Sequence, residues 1–206
     1  MFGMERSEFL QKTNVSHETA VKLDRYAELL IEWNQKFNLV AKSTIPHIWT
    51  RHFLDSAQLA NFIPKKSTTL IDLGSGAGFP GLVLSIMDVL PNIHLVESTG
   101  KKAIFLQTII DELGLKTNVH HCRIEEIKGI NTDIITARAV ASLSELFKLS
   151  MPLIKRETLC LFMKGQNTDS ELTESKKYWK FDCEKAASIS DDSGSVLIIN
   201  NLKRKK

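Results

Sequence analysis

Four glycines stand within eight positions of the stretch "LIDLGSGAGFPG", residues 70–81. A short β-rich run leads into them and an apolar helical run leads out, so they lie on a turn from strand to helix. Such a turn presents backbone N–H groups, and glycine adds positive φ and close approach. A turn that only reverses the chain needs one or two glycines. Four imply that Gly74, Gly76 and Gly78 face a nucleotide-like ligand, with Gly81 opening the helix. Glu97 ends the next β-rich run, "IHLVE", where a nucleotide site needs an acceptor for ribose hydroxyls. Asp72, just before the loop, is placed to meet the amino-acid end of S-adenosylmethionine, directly or through water.

Three ligands compete for the loop. A P-loop needs a Gly-x-x-x-x-Gly-Lys-Ser/Thr string, which the chain lacks. NAD and S-adenosylmethionine both fit a Gly-x-Gly turn followed by an acid. Length favours the second, because the chain from residue 69 onward holds one sheet of about seven strands and little else. A small NAD-dependent reductase remains the rival on this ground.

Cations follow the β-rich runs. Lys101 and Lys102 follow the second, Arg123 the third, Arg138 the fourth and Lys164 the fifth. In an open parallel sheet these positions share the edge where ligands bind. Lys101 and Lys102 also open a helix, where the macrodipole disfavours them. A phosphate-rich acceptor explains the set, which makes nucleic acid the natural substrate class. The run His120, His121, Cys122 makes a poor chelate, since strand neighbours point to opposite faces; no metal is expected.

The acceptor atom is narrowed by what is missing. Exocyclic-amine methylation usually calls for an Asn/Asp-Pro-Pro-aromatic clamp, absent here. Pyrimidine C5 methylation needs a cysteine nucleophile, often after proline, whereas Cys122, Cys160 and Cys183 follow His, Leu and Asp. Guanine N7 already carries a nucleophilic lone pair and needs only orientation and approximation.

The elements that must hold these residues are legible from periodicity. An amphipathic helix runs over 17–38 with Ser16 as N-cap, and a second starts near Pro46 and runs to about 63. From residue 69, β-rich runs at 69–73, 93–97, 118–122, 133–137, 158–164 and 196–200 alternate with helical ones. That implies βαβ units and a mainly parallel sheet. Residues 1–66 read as an N-terminal helical extension and 67–206 as the catalytic domain. With 25% charged and 43% hydrophobic residues the composition is that of a globular protein. Three scattered cysteines, no apolar N-terminal region and no membrane-length run give a cytoplasmic expectation. The basic end "NLKRKK" is read either as a solvated, disordered tail or as a phosphate contact.

Taken together, "WNQKFNLV" (33–40), "RHFLDS" (51–56), "DLGSGAGFPGLVLSI" (72–86), "ESTGKKAIFL" (97–106), "CRIEE" (122–126), "ARAVASL" (137–143) and "MKGQ" (163–166) resemble the RsmG family, also called GidB. Its members methylate guanine N7 in small-subunit (16S) ribosomal RNA. The resemblance covers nearly the whole chain and implies a Rossmann-like class I methyltransferase fold. It implies that Gly74, Phe79, Ile124, Glu125 and Arg138 line the cofactor. Glu97 stands where Asp is common, and Val40 where Thr is frequent. Lys101, Lys102, Arg123, Arg138 and Lys164 match positions that the family keeps basic, as the C-terminal cations match a basic end.

The expectation is therefore an α/β protein with a seven-stranded, mainly parallel sheet and an N-terminal helical extension. It uses S-adenosylmethionine to methylate guanine N7, with Arg138 and Lys164 as catalytic residues. Lys101, Lys102, Arg123 and Lys164 contact the RNA, naked or in a partly assembled subunit, and the protein is a monomer. The cross-class rival is a non-catalytic RNA-binding or ribosome-assembly module. Arg51 and Asp55 of "RHFLDS", four apart, are expected to pair on one helix face, with RNA contact as the alternative role of that segment.

Overall fold

A computed structural model describes residues 3–205. The strands are β1 (Thr69–Leu73), β2 (Asn92–Val96), β3 (Thr117–His120), β4 (Ile134–Arg138), β5 (Leu159–Lys164), β6 (Trp179–Ala187) and β7 (Ser195–Arg204). They form one sheet in the order β3-β2-β1-β4-β5-β7-β6. The first five are parallel, and β7 runs antiparallel to both β5 and β6. The order reverses between β1 and β4, which places a crevice at the carboxyl ends of those two strands.

Central strands are apolar at nearly every position because helices cover both faces. On one face Leu70, Leu95, Ile134 and Leu161 share a core with α2 (His17–Lys36), α4 (Gly81–Ile86) and α5 (Gly100–Leu113). On the other, Ile71, Val96, Ile135 and Phe162 pack with α6 (Leu143–Ser150) and with Trp179, at the start of β6. The N-terminal helices and one sheet face thus share a single core. α1 (Gly3–Thr13) precedes them and buries Phe9 against Trp49.

Ser16 caps α2, its hydroxyl accepting the Thr19 N–H at 3.1 Å. Where α2 ends, the buried Asn34 accepts the N–H groups of Leu39 and Val40 at 2.8 and 3.0 Å, which turns the chain toward the next segment. That segment is not the single helix expected from Pro46. It begins as a 3₁₀ helix (Lys42–His47), widens to a π-helix (Trp49–Leu54), passes through a short α3 (Asp55–Ala57) and tightens to 3₁₀ (Gln58–Phe62). The cause is burial on more than one side: His52, Phe53 and Leu54 in succession are inside, which a one-stripe helix cannot do.

The remaining strand, β6, alternates Trp179, Phe181 and Cys183 with Lys180, Asp182 and Glu184, and as an edge strand it leaves most of its side chains exposed. α7 (Thr168–Tyr178) precedes it. The basic end is not a free tail over 203–205. β7 continues to Arg204, and the Lys205 N–H donates to the Tyr178 carbonyl at 2.9 Å. Lys206 lies outside the described residues.

Candidate active site

The glycine loop leaves the carboxyl end of β1 with Gly74, Gly76 and Gly78 at φ of +63°, +58° and +99°. A β-carbon on Gly78 would lie 2.4 Å from Leu82 Cδ1 and 2.7 Å from the Tyr26 hydroxyl, and one on Gly81 would lie 2.3 Å from Leu95 Cδ2. Those two glycines let the loop sit down on the core. Gly76 differs: its β-carbon would meet nothing nearer than the Gly74 carbonyl oxygen at 3.9 Å. The open side of the loop is at Gly76.

Glu97, buried just past β2, accepts the Gly76 N–H at 2.9 Å and the Thr99 N–H at 2.7 Å, one on each carboxylate oxygen. A carboxylate has about four acceptor directions, so each oxygen keeps capacity for one more donor. Asp72 is placed otherwise than the sequence suggested. It is fully buried beneath the loop, accepting the Thr136 hydroxyl at 2.7 Å and the Gly81 N–H at 3.3 Å. Its carboxylate braces β1, β4 and α4 and has no surface from which to meet a ligand directly.

Burial pushes the Asp72 carboxyl up from its ordinary 3.8 to about 6, against its hydrogen bonds to Thr136 and Gly81, which lower it. The native state therefore holds this proton more tightly than the unfolded chain. That contribution to stability is present below pH 4 and is lost as pH rises through about 6, leaving a cost on the order of 3 kcal/mol at neutral pH. Asp72→Asn is expected to flatten this part of the curve. Denaturant melts of both proteins between pH 4 and 7 check it, and parallel curves would refute it.

Arg138 ends β4 and turns toward the 42–62 segment. Its guanidinium donates to Asp55 Oδ2 at 3.2 Å, to the Arg51 carbonyl at 3.1 Å and to His52 Nδ1 at 3.0 Å, and lies 4.7 Å from the Phe79 ring centroid. Because Nδ1 of His52 accepts, its Nε2 carries the hydrogen and donates to Thr44 Oγ1 at 2.8 Å. Burial, then the charges of Arg138 and Arg51, press the His52 pKa down to about 3, so the ring is neutral at neutral pH. Phe79 is buried between the rings of His52 and Tyr26, and the Tyr26 hydroxyl donates to the Ala77 carbonyl.

The expected Arg51–Asp55 pair does not form. Asp55 faces Arg138, while Arg51 reaches Asp191 at 2.7 Å in the β6–β7 connection. The irregular turns of 49–57 rotate the two side chains away from the shared face of a regular helix. Asp55 also accepts Ser190 Oγ at 2.6 Å and Gln58 Nε2 at 3.0 Å, and the Gln58 side-chain Oε1 accepts the Ile189 N–H at 3.0 Å. The β6–β7 connection is thereby strapped onto the helical segment.

Beneath that strap is a cavity of about 450 Å³, lined among others by His52, Asp55, Arg138, Lys164, Glu171 and Ser190. The glycine loop does not line it. The two meet at the end of β4, where Arg138 and Ala139 face the cavity and a β-carbon on Gly74 would touch Val140. Lys164 sits in the cavity wall and is not an open rim cation. Only 10% exposed, it pairs with Glu171 at 2.7 Å and donates to the Ala141 carbonyl at 2.9 Å. Lys101 is exposed, with its ammonium 5.0 Å from the Phe37 ring centroid; Lys102 is half-buried, and Arg123 is exposed. Ile124 and Glu125 follow β3 on a short 3₁₀ turn, half-buried and exposed respectively. Among the described residues no group of three or more metal-ligating side chains gathers, although His94 and His120 touch across β2 and β3 at 3.0 Å.

His52, Asp55, Gln58 and Tyr26 are the residues of this neighbourhood that sequence reasoning did not assign to it. The "RHFLDS" string marked the first two without showing that they face Arg138.

Comparison with known proteins agrees with this architecture. Residues 19–196 match the family model described as GidB, rRNA small subunit methyltransferase G. The ribosomal RNA small subunit methyltransferase G of Paramagnetospirillum magneticum is 41% identical over 98% of this chain and 98% of its own. That of Bradyrhizobium sp. (strain ORS 278) is 44% identical over 98% and 93%. Among solved structures, M. jannaschii TYW2 in complex with AdoMet superposes with a TM-score of 0.55 at 13% identity, over 73% of this chain and 74% of that one. The chain belongs to the GidB family, the rRNA small subunit methyltransferases G.

Proposed function

We infer that this protein, an S-adenosylmethionine-dependent methyltransferase of small-subunit ribosomal RNA, delivers the methyl group to N7 of a guanine. The observation that carries the reading is the pair of spaces on either side of the β4 end: the open face of the loop at Gly76 beside Glu97, and the polar cavity beyond Arg138. When bound, the cofactor supplies an electrophilic methyl group on a sulfonium. Gly74 and Gly76 hold its methionine part, the free acceptor directions of Glu97 take the ribose hydroxyls, and Ile124 and Glu125 flank the remainder. Asp72 serves by fixing the loop.

The guanine enters the cavity. N7 needs no general base, and among the groups here the neutral His52 already spends both ring nitrogens on Arg138 and Thr44. Arginine usually reads guanine through O6 and N7 together, which would block the reacting atom. Arg138 gives its fork to Asp55, Arg51 and His52 instead, so it positions the cavity wall and reaches at most O6. Lys164, held by Glu171, stands on the far side of the base. Lys101, Lys102 and Arg123 contact RNA phosphates at the rim. In this reading 1–66 is a helical extension that walls the acceptor side, 67–206 is the catalytic domain, and a cytoplasmic monomer acts on free RNA or a partly assembled subunit.

Among the described residues no helix is long and apolar enough to cross a membrane. Glu97→Gln is expected to weaken S-adenosylmethionine binding by about 1.5–3 kcal/mol, the range for hydrogen bonds to a charged group. Calorimetry reads it, and equal affinity would move the ribose elsewhere. The whole reading is tested by mapping N7-methylguanosine in ribosomal RNA from cells with and without the protein. Transfer of a labelled methyl group to that RNA separates the enzyme from an assembly module.

A further inference from the structure

Two cations that the sequence put at the catalytic edge are paired, Arg138 with Asp55 and Lys164 with Glu171. A larger unpaired group stands at the opposite edge of the sheet. β7 begins beside Lys164, with Ser195 opposite it, and runs away from the cavity to Arg204. At its end Trp179 is in register with Arg204 and Lys180 with Lys203. Trp179 and Leu202 are buried, so the alternation sends Lys180 and Lys203 out together on the other face, both exposed. Lys205 extends the group, donating from Nζ to the Lys176 carbonyl at 2.6 Å, and Tyr178 beside it is 59% exposed.

Among the described residues no carboxylate pairs with Lys176, Lys180, Lys203, Arg204 or Lys205, whereas the nearby Lys177 and Lys185 pair with Glu174 and Asp169. Those five charges exceed the formal excess of the entire chain, +3. Like charges directly opposite on paired strands destabilise the pair, so the fold bears a local cost here. Protection of an edge strand needs only some exposed charge, and Asp182, Glu184 and Lys185 already give β6 that.

We propose that this edge is a second phosphate-binding surface that grips the backbone of small-subunit ribosomal RNA away from the reacting guanine. The proposal rests on the reading of the protein as a ribosomal RNA methyltransferase. Along β7 the two places are ~30 Å apart, at about 3.3 Å per residue. Asp182 and Glu184 lie between them on β6, so the contacts are separate and only an RNA long enough to span both uses both.

The test is the triple variant Lys180→Gln, Lys203→Gln, Arg204→Gln, made on the full chain. Lys180 and Lys203 face each other and Arg204 is exposed opposite Trp179, so removing the three charges leaves the fold intact, which thermal unfolding verifies. Binding is measured over a salt series with unmodified small-subunit ribosomal RNA, free or in subunits, whichever the wild-type protein methylates. The log–log salt slope should fall by about 2–3, from three phosphate contacts at roughly 0.7–0.9 each. kcat at saturating RNA should stay unchanged, and a short guanine-containing oligonucleotide should compete equally in both proteins. An unchanged slope overturns the proposal. Self-association of the variant at an unchanged slope assigns the cations to edge protection, and lost sedimentation with anionic vesicles at an unchanged slope assigns them to a membrane. If the wild-type protein methylates neither form of the RNA, the functional reading itself has failed, which is a separate result.

Discussion

Replacing Gly76 by alanine is expected to leave the protein folded and to weaken S-adenosylmethionine binding by about tenfold or more, equivalent to at least ~1.4 kcal/mol. A β-carbon at Gly76 meets no protein atom nearer than 3.9 Å, so packing survives. The left-handed backbone, at φ +58°, adds roughly 1–2 kcal/mol of strain, which a domain can bear. The methyl group then occupies the one face of the loop that the protein leaves empty. Gly78→Ala is the contrasting variant. Its β-carbon would lie 2.4 Å from Leu82, and overpacking adds about 1–3 kcal/mol to similar strain. Gly78→Ala should therefore lose thermal stability first, and Gly76→Ala should lose affinity first. Calorimetry and thermal unfolding of the two proteins decide the matter. Unchanged affinity in a folded Gly76→Ala protein would make the loop a structural turn.

The contrast between these glycines also shows where sequence reading stops. Four glycines in eight positions announced a close approach, but the approaching atoms differ. At Gly78 and Gly81 they belong to Leu82, Tyr26 and Leu95, and only Gly76 faces open space. β1, β4 and β5 were legible to within a residue or so, because buried parallel strands are short continuous apolar runs. β6 was not, since its alternation of Trp179, Phe181 and Cys183 is short and follows α7 with no turn residue between them. The site suffered in the same way. Glu97 and Arg138 do stand at the ends of β2 and β4, where the sequence puts them. Asp72 also stood at a strand end, yet its side chain points below the loop, which only the pairing with Thr136 reveals. A regular helix over 49–57 would set Asp55 beside Arg51, but the π-helical turns there direct Asp55 toward Arg138 and Arg51 toward Asp191. Side-chain partners contributed from 83 positions away, as between Asp55 and Arg138, leave no local trace.

Arg138→Lys should fold and bind cofactor, yet lose about 10²-fold in single-turnover methylation with both substrates saturating, the scale of a small misplacement at a reacting centre. The guanidinium engages three partners at once: Asp55, the Arg51 carbonyl and His52 Nδ1. An ammonium carries the same charge but has no planar fork. It can keep Asp55 and must release at least one of the others. Through Asp55 the effect reaches Ser190 and the strap over the cavity, so the wall against which the guanine is positioned loosens. Since Asp55 is only 18% exposed, it would be left as a poorly compensated carboxylate in an Arg138→Ala protein, and folding would suffer. The lysine variant avoids that and isolates geometry from charge. A drop in kcat with little change in the apparent affinity for RNA is the signature of positioning. Asp55→Asn should show the same signature more weakly, because the amide keeps an acceptor for Ser190 but not the charge that holds Arg138. Near wild-type single-turnover rates in Arg138→Lys would reduce Arg138 to a structural partner of Asp55 and leave Lys164 as the remaining candidate for orienting the base.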